Sequence, residues 1–207
     1  GCGCIKTSNA SQALIKTGCC TPYPDVYMES SRACVWPCCQ RVQSLDLSLM
    51  TINVETSAPL EPLGQSDEAV PCLFTKDRVP VRVSSVGRVG LGLPSGRFEV
   101  TSPWVERERC ARIGAATSVF GGLPRIQCEA IIAQTLWTHQ SAVVSSVYAR
   151  ELLDRTEVAA KVLRSATADL VGIGVWVQSF VIQDLYSRDL DVVQAARAAS
   201  KAWNRVT

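Results

Sequence analysis

Residues 162–187 read VLRSATADLVGIGVWVQSFVIQDLYS, and this stretch decides the fold class. Apolar side chains stand at helical spacing through its first half: Ala159 just upstream, then Leu163, Ala166 and Leu170. Residues three and four apart share one helix face, so a helix is expected over about 150–171. Gly172 and Gly174 follow, and glycine ends helices because it reaches left-handed backbone angles without a Cβ clash. Directly after comes VWVQSFVIQDL, 175–185, where the apolar period drops to two. Trp176, Phe180 and Ile182 fall on one face of the expected strand and Val175, Val177 and Val181 on the other. Both faces are therefore expected to be covered.

Two more helices are expected upstream. Ser102 can cap, Pro103 suits the first helical position, and Glu106 and Glu108 sit near the positive end of the helix dipole. That helix is expected to run to Phe120 and stop at Gly121-Gly122. Pro124 opens the next, with Cys128, Ile132, Leu136, Val143 and Val147 in one stripe and Gln127, Gln134, Thr138, Ser141 and Ser145 in the opposite one. The polar stripe reads as a solvated face, with a partner surface as the alternative.

Further upstream the period is two. Val79, Val81, Val83, Val89, Leu91 and Leu93 alternate with Arg82, Ser84, Arg88 and glycines, giving a strand over 79–93. Residues 42–54, VQSLDLSLMTINV, place Leu45, Leu47 and Leu49 on one face and then Met50, Ile52 and Val54 in the opposite phase, a switch expected of a bulge or a doubly covered strand. Between these strands, 57–72 hold three prolines and Gly64 and read as an exposed loop. Nearer the start, 11–17 read as a short strand ending at the Gly18-Cys19-Cys20 turn, TPYPD (21–25) as a proline-punctuated loop, and 26–30 as another short strand. Residues 33–39, ACVWPCC, are apolar and broken by Pro37. Downstream, 189–206 are alanine-rich and helical in pattern. Strands, then helices, then a strand and a departing helix make an α+β fold, helices packed on a mixed or antiparallel sheet.

The bulk composition agrees with a folded domain. The 207 residues are 47% apolar and 19% charged, which is globular and not disordered. A net charge of +2, with no run of five basic residues, gives no reason to expect nucleic acid as a partner. The longest uncharged run, 130–149, has eight polar residues in twenty and is not expected to span a bilayer.

The unusual feature is the thiol load at the start. Seven of the ten cysteines lie within the first forty residues: Cys2, Cys4, Cys19, Cys20, Cys34, Cys38 and Cys39. GCGCIKTSNASQ lacks the charged-then-apolar pattern of a secretory leader, so persistent disulfides are not expected. The thiols then read as acylation sites, metal ligands or redox groups. Cys2-x-Cys4, Cys19-Cys20 and Cys34-x3-Cys38 offer enough thiolates for zinc or an iron–sulfur cluster. Adjacent pairs chelate poorly, however, and no Cys-x2-Cys occurs, so no metal or other cofactor is expected. Cys72, Cys110 and Cys128 stand alone, and Cys128 belongs to the apolar helix stripe. His139 is the single histidine. It falls mid-helix without a Gly-x-Ser-x-Gly elbow, so no catalytic residue is expected. The glycines of SVGRVGLG, 85–92, have no Lys-Ser/Thr helix after them and read as strand glycines, not a phosphate cradle.

Five blocks in order carry a family resemblance: NASQALIKTGCC (9–20), QRVQSLDLSLMTINVET (40–56), VPVRVSSVGRVGL (79–91), IIAQTLWTHQSAVVSSV (131–147) and the opening stretch with Asp184. The chain resembles a flotillin (reggie), within the SPFH, prohibitin-homology or band 7 superfamily. The resemblance implies two SPFH subdomains, at 42–95 and 96–186, after an N-terminal membrane-attachment segment at 1–41 that is part of the first. It implies the start of a coiled-coil helix at 187–207. It also implies a scaffold and not an enzyme, lipid-anchored to the cytoplasmic face of plasma and endosomal membranes. Partners implied are inner-leaflet lipids of sterol-rich microdomains and other copies, as a homo-oligomer or a hetero-oligomer with a second flotillin. The chain departs from the family in a longer loop at 59–71. It also reads Leu136-Trp137-Thr138-His139 where members carry an acidic residue before glycine-histidine.

The lipidation candidates follow. Gly1 is the candidate myristoyl acceptor, although the acceptor pattern prefers Ser or Thr where Ile5 stands. One myristoyl chain binds membranes only marginally, so a second signal is needed. By position, the resemblance points to Cys2, Cys4, Cys19 and Cys20 as the acylated thiols, with Cys34, Cys38 and Cys39 as further candidates beside Trp36, a residue suited to the membrane interface. The competing reading is a cytosolic, cysteine-rich metal-binding or redox module.

Overall fold

The computed structural model describes residues 4–9, 11–19, 21–27, 32–36, 38–55, 73–92 and 103–187. In chain order these form β1 (Cys4–Thr7), β2 (Gln12–Gly18), β3 (Thr21–Tyr27), β4 (Arg32–Val35), β5 (Gln40–Asp46), β6 (Met50–Glu55), β7 (Leu73–Phe74), β8 (Pro80–Leu91), α1 (Pro103–Phe120), α2 (Arg125–Ser146), α3 (Arg155–Gly172) and β9 (Val175–Tyr186). The class is α+β. β1 and β4 form a ribbon, β3-β2-β5 a three-stranded sheet, and β8 pairs with β6, β7 and β9. The β1–β4, β2–β3, β2–β5 and β7–β8 pairs are antiparallel. The chain groups into two compact units built from alternating stretches, 1–52, 88–132 and 167–179 in one, and 53–87, 133–166 and 180–207 in the other.

In the first unit β2 is the middle strand of its sheet, with α1 packed on β2 and β3. Ala13, Leu14 and Ile15 are consecutive and all buried, as a strand covered on both faces requires. From α1, Ile113, Ala116 and Phe120 meet the core at spacings of three and four. Ile113 and Phe120 are fully buried, each worth about 1.5–3 kcal/mol relative to exposure. The turn after α3 closes against this helix. Gly174 has φ of 72°, and a Cβ there would collide with the Arg112 carbonyl oxygen and with Ala116. Only glycine fits that turn, whose carbonyl then accepts the Gly92 N–H at 2.7 Å.

In the second unit Val54, Val81, Val83, Leu136, Val144, Val158, Val162 and Ile182 are buried. β8 alternates through this core, and the buried phase includes Ser85. A short turn joins β7 to β8, where Thr75 N–H donates to Val79 O at 3.1 Å and Asp77 accepts the Ala149 N–H at 3.1 Å.

Several local expectations are corrected. TPYPD is part of strand β3, which among the described residues pairs only with β2. Pro22 and Pro24 are two apart, so their missing donors face one side, tolerable on the open edge of a sheet. Residues 42–54 are two strands. The chain breaks at 47–49, where Leu47 N–H donates to Ser11 O at 2.7 Å and Ser48 N–H to Asp46 Oδ1 at 2.9 Å. The phase switch is this break: Leu45 is buried but Leu49 is exposed. α3 starts at Arg155 and not near 150, because Asp154 caps it, accepting the Glu157 N–H at 3.1 Å. In α2 the buried stripe includes Gln140 and Val144 in place of Val143. On β9, Phe180 and Ile182 are buried but Val181 is 56% exposed, so that end is covered on one face only. β1 is a strand that no period announced. The expected loop at 57–72, Ser102, Leu93 and the terminal helix of 189–206 lie outside the described residues.

Candidate functional site

The β1–β4 ribbon carries the first part of the site. Its register pairs Cys4 with Val35, Ile5 with Cys34, Lys6 with Ala33 and Thr7 with Arg32. Side chains alternate along β4. Ala33 and Val35 are buried, while Arg32 and Cys34 are exposed, and Trp36 continues the outer phase. The outer surface therefore presents Cys34 beside Ile5, which is 69% exposed, and Trp36, which is 48% exposed.

A closed turn links this ribbon to β5. Cys39 N–H and Gln40 N–H both donate to Trp36 O, at 3.1 and 2.8 Å, and the Gln40 side-chain oxygen accepts the Trp36 N–H at 3.0 Å. The turn then meets the end of β2. The β2–β5 register runs from Gln12 opposite Asp46 to Gly18 opposite Gln40, and Cys19 N–H donates to Cys39 O at 3.2 Å. Gly18 makes this approach possible, since a Cβ there would strike Cys39 O and the Gln40 backbone.

Three thiols meet where these segments join. The Cys39 thiol is hydrogen-bonded to those of Cys19 and Cys38. Cys19 and Cys38 are exposed and Cys39 is half-buried. Partial burial, and then the two neighbouring thiols, push the Cys39 pKa up from 9.0 to about 12. Cys39 is thus the protonated, slow member of the cluster, flanked by two solvent-facing thiols.

The candidate thiols separate accordingly. Cys19, Cys38 and Cys39 are brought together, and Cys34 is on the outer face of the adjoining ribbon. Cys4 is placed by its backbone pairing in β1. Gly1, Cys2 and Cys20 lie outside the described residues. Ile5 is the member that sequence reading passed over; the only signal was an isolated large apolar residue in a polar stretch. The contact between the 19 and 39 thiols had no signal at all, because it depends on a pairing of strands twenty residues apart.

Other candidate groups stand elsewhere. Cys128 is buried, its thiol donates to Leu123 O at 3.9 Å, and burial raises its pKa. The glycines of 85–92 lie in and just after β8. His139 Nδ1 is 2.9 Å from Ser165 Oγ, a contact between α2 and α3. Among the described residues, no group of three or more His, Cys, Asp or Glu is arranged to hold a metal ion. Among the same residues, no helix is long and apolar enough to cross a membrane.

The chain is 28% identical to Flotillin-1 of Drosophila melanogaster over 202 residues, which are 95% of this chain and 41% of that protein. It is 24% identical to Flotillin-1 of Pongo abelii and of Homo sapiens over 197 residues, again 95% of this chain and 39% of each relative. Over 95% of its length the chain is similar to these flotillins. It spans about two fifths of the length of these flotillin relatives. No family model matches it. Since the flotillin likeness covers 95% of the chain, it takes in most of the cysteine-bearing strands and turns as well as the three helices.

Proposed function

We propose that this chain acts in a flotillin-type membrane-microdomain scaffold, held to the cytoplasmic leaflet of plasma and endosomal membranes by N-terminal acylation. Thioesters on Cys2, Cys4, Cys19, Cys20, Cys34, Cys38 or Cys39, with a myristoyl chain on Gly1, are the anchor. The observation that carries this reading is the surface formed by Cys34, Ile5 and Trp36, next to the exposed thiols of Cys19 and Cys38. Solvent-facing thiols are reachable by an acyl donor, and an adjacent tryptophan and isoleucine suit the headgroup boundary. Each buried methylene contributes about 0.8 kcal/mol, so a second acyl chain turns a marginal attachment into a lasting one.

The scaffold reading includes two SPFH subdomains, at 42–95 and 96–186, behind an attachment segment at 1–41, and a helix from 187 that begins a coiled coil. Many copies, alone or with a second flotillin, assemble side by side and corral inner-leaflet lipids of sterol-rich microdomains. No catalytic step is part of this function. Acyl exchange with hydroxylamine tests the anchor. The expected result is thioester signal on the wild type, with loss of signal and of membrane partitioning when Cys2, Cys4, Cys19, Cys20, Cys34, Cys38 and Cys39 are all replaced by serine. A wild type without thioester, partitioning as the serine variant does, would overturn it.

A further inference from the structure

We propose that Cys19 and Cys39 form a dithiol pair that closes to an intramolecular disulfide, withdrawing both sulfurs from acylation. The link to acylation rests on the lipid-anchor reading; the disulfide does not. Two observations carry the pairing. The β2–β5 ladder ends with Gly18 opposite Gln40, and one step further Cys19 N–H donates to Cys39 O at 3.2 Å, so the two residues face each other across the strands. Gly18 lets the two backbones approach more closely than any side chain would allow. Directly opposed residues have Cβ atoms about 4.5–5.5 Å apart, and a disulfide needs about 3.5–4.5 Å, so closure asks for a small movement at the end of a ladder. The Cys19 thiol is near enough to act on the Cys39 thiol as a hydrogen-bonding neighbour. Cys38 also neighbours Cys39, but adjacent cysteines close only into a small ring that distorts the peptide between them.

The exposures assign the order of steps with a low-molecular-weight disulfide such as oxidised glutathione as oxidant. Cys19 is solvent-facing and reacts first. Its thiolate, having released a proton, attacks one glutathione sulfur; a mixed disulfide forms and one glutathione thiolate leaves. The Cys39 thiolate then attacks the Cys19 sulfur, forming the Cys19–Cys39 bond and expelling the second glutathione thiolate. The two protons lost by the protein end on the two glutathiones. The protein loses two electrons and the oxidant gains them. The high pKa of Cys39 makes the second step the slow one. A sulfur held in a disulfide cannot carry an acyl chain, so closure and lipid attachment exclude each other at these positions. In a reducing compartment such a pair is a transient, redox-sensing bond rather than a structural one.

The test equilibrates the whole chain in glutathione buffers of graded redox ratio, blocks remaining thiols with N-ethylmaleimide, and maps crosslinks by mass spectrometry of the unreduced digest. The expected result is a Cys19–Cys39 link that persists in Cys20→Ser and Cys38→Ser and disappears in Cys39→Ser. Only intermolecular links, or a link to residues 33–41 that survives Cys39→Ser, would overturn the proposal. Acyl exchange on the same chain, recovered from membranes under reducing conditions, separates the two readings. Thioester without any Cys19–Cys39 link overturns the disulfide and leaves the anchor standing. The link without any thioester overturns the anchor and leaves the disulfide standing.

Discussion

The Ser85 hydroxyl donates to the side-chain oxygen of Gln140 at 2.5 Å, and both residues are fully buried. The Gln140 amide in turn donates to Val83 O at 3.4 Å, so a single glutamine on α2 fastens onto two positions of β8. Buried polar groups are tolerated only when bonded, and this pair satisfies itself inside an apolar core. Gln140→Leu removes the short bond from the Ser85 hydroxyl, leaving it the longer contact with Val54 O at 3.4 Å, and takes away one donor to Val83 O. It is expected to cost about 1–3 kcal/mol, read as a lower urea midpoint. Ser85→Ala with Gln140→Leu is expected to cost less than the sum of the single changes, since both single changes remove the same Ser85–Gln140 bond.

Asp77 sets an acid limb. Its carboxylate is held below the usual range, chiefly by the Thr75 hydroxyl; partial desolvation opposes this, and the Ala149 N–H and the Arg150 charge add to the lowering. Between the ordinary value of 3.8 and the lowered one, the unfolded chain binds more protons than the folded one. Stability from this group is therefore full above that window and is lost as pH falls through it. Asp77→Asn is expected to flatten the fall in melting temperature below about pH 4, measured by thermal unfolding.

Cys39 acts at the other end of the scale. Its pKa of about 12 lies above the unfolded value of 9.0, so the folded chain keeps a proton that the unfolded chain releases. Stability from this thiol is full below that unfolded value and declines as pH rises towards the folded one. Under reductant, Cys39→Ala is expected to remove that part of the alkaline slope in melts run at about pH 8 to 11.

Gly18→Ala tests the close approach beneath the thiol cluster. The added methyl collides with Cys39 O and Gln40, so the ends of β2 and β5 must separate. A loss of about 1–3 kcal/mol is expected in chemical unfolding, as for other overpacked sites. The Cys19–Cys39 crosslink is expected to form more slowly in the same variant.

Ile5 and Trp36 test the proposed contact with lipid. Each side chain is about half or more exposed and would enter the bilayer boundary beside Cys34. Ile5→Ser and Trp36→Ser are each expected to weaken binding to anionic vesicles about five- to tenfold in flotation, without change in melting temperature.

Much of the fold is legible in the order and spacing of residues. α1 runs from Pro103 to Phe120, within the limits set by Pro103 and by Gly121-Gly122. β9 and the glycine stop of α3 fall where the change of period places them. Both signals are local: a proline or glycine limits its own backbone, and a repeat of apolar residues follows from the geometry of one element. The misses share the opposite character. TPYPD looks like a loop because prolines break most local structure, yet β2 makes it an edge strand. Gln140 stands outside the apolar stripe read for α2, yet Ser85, fifty-five residues away, makes it a core residue.

The sequence by itself determined the α+β class, the limits of α1 and the glycine stop of α3, the flotillin likeness and the abundance of thiols near the start. Those properties reside in spacing, composition and order along the chain. Only the tertiary structure decided which thiols are neighbours. Cys19 and Cys39 meet because β2 pairs with β5 in one register and Gly18 permits the approach, whereas Cys34 turns outward beside Ile5 because Ala33 and Val35 take the buried phase of β4. Strand pairing joins residues far apart in the chain through backbone hydrogen bonds common to every residue type, so no local pattern can announce it.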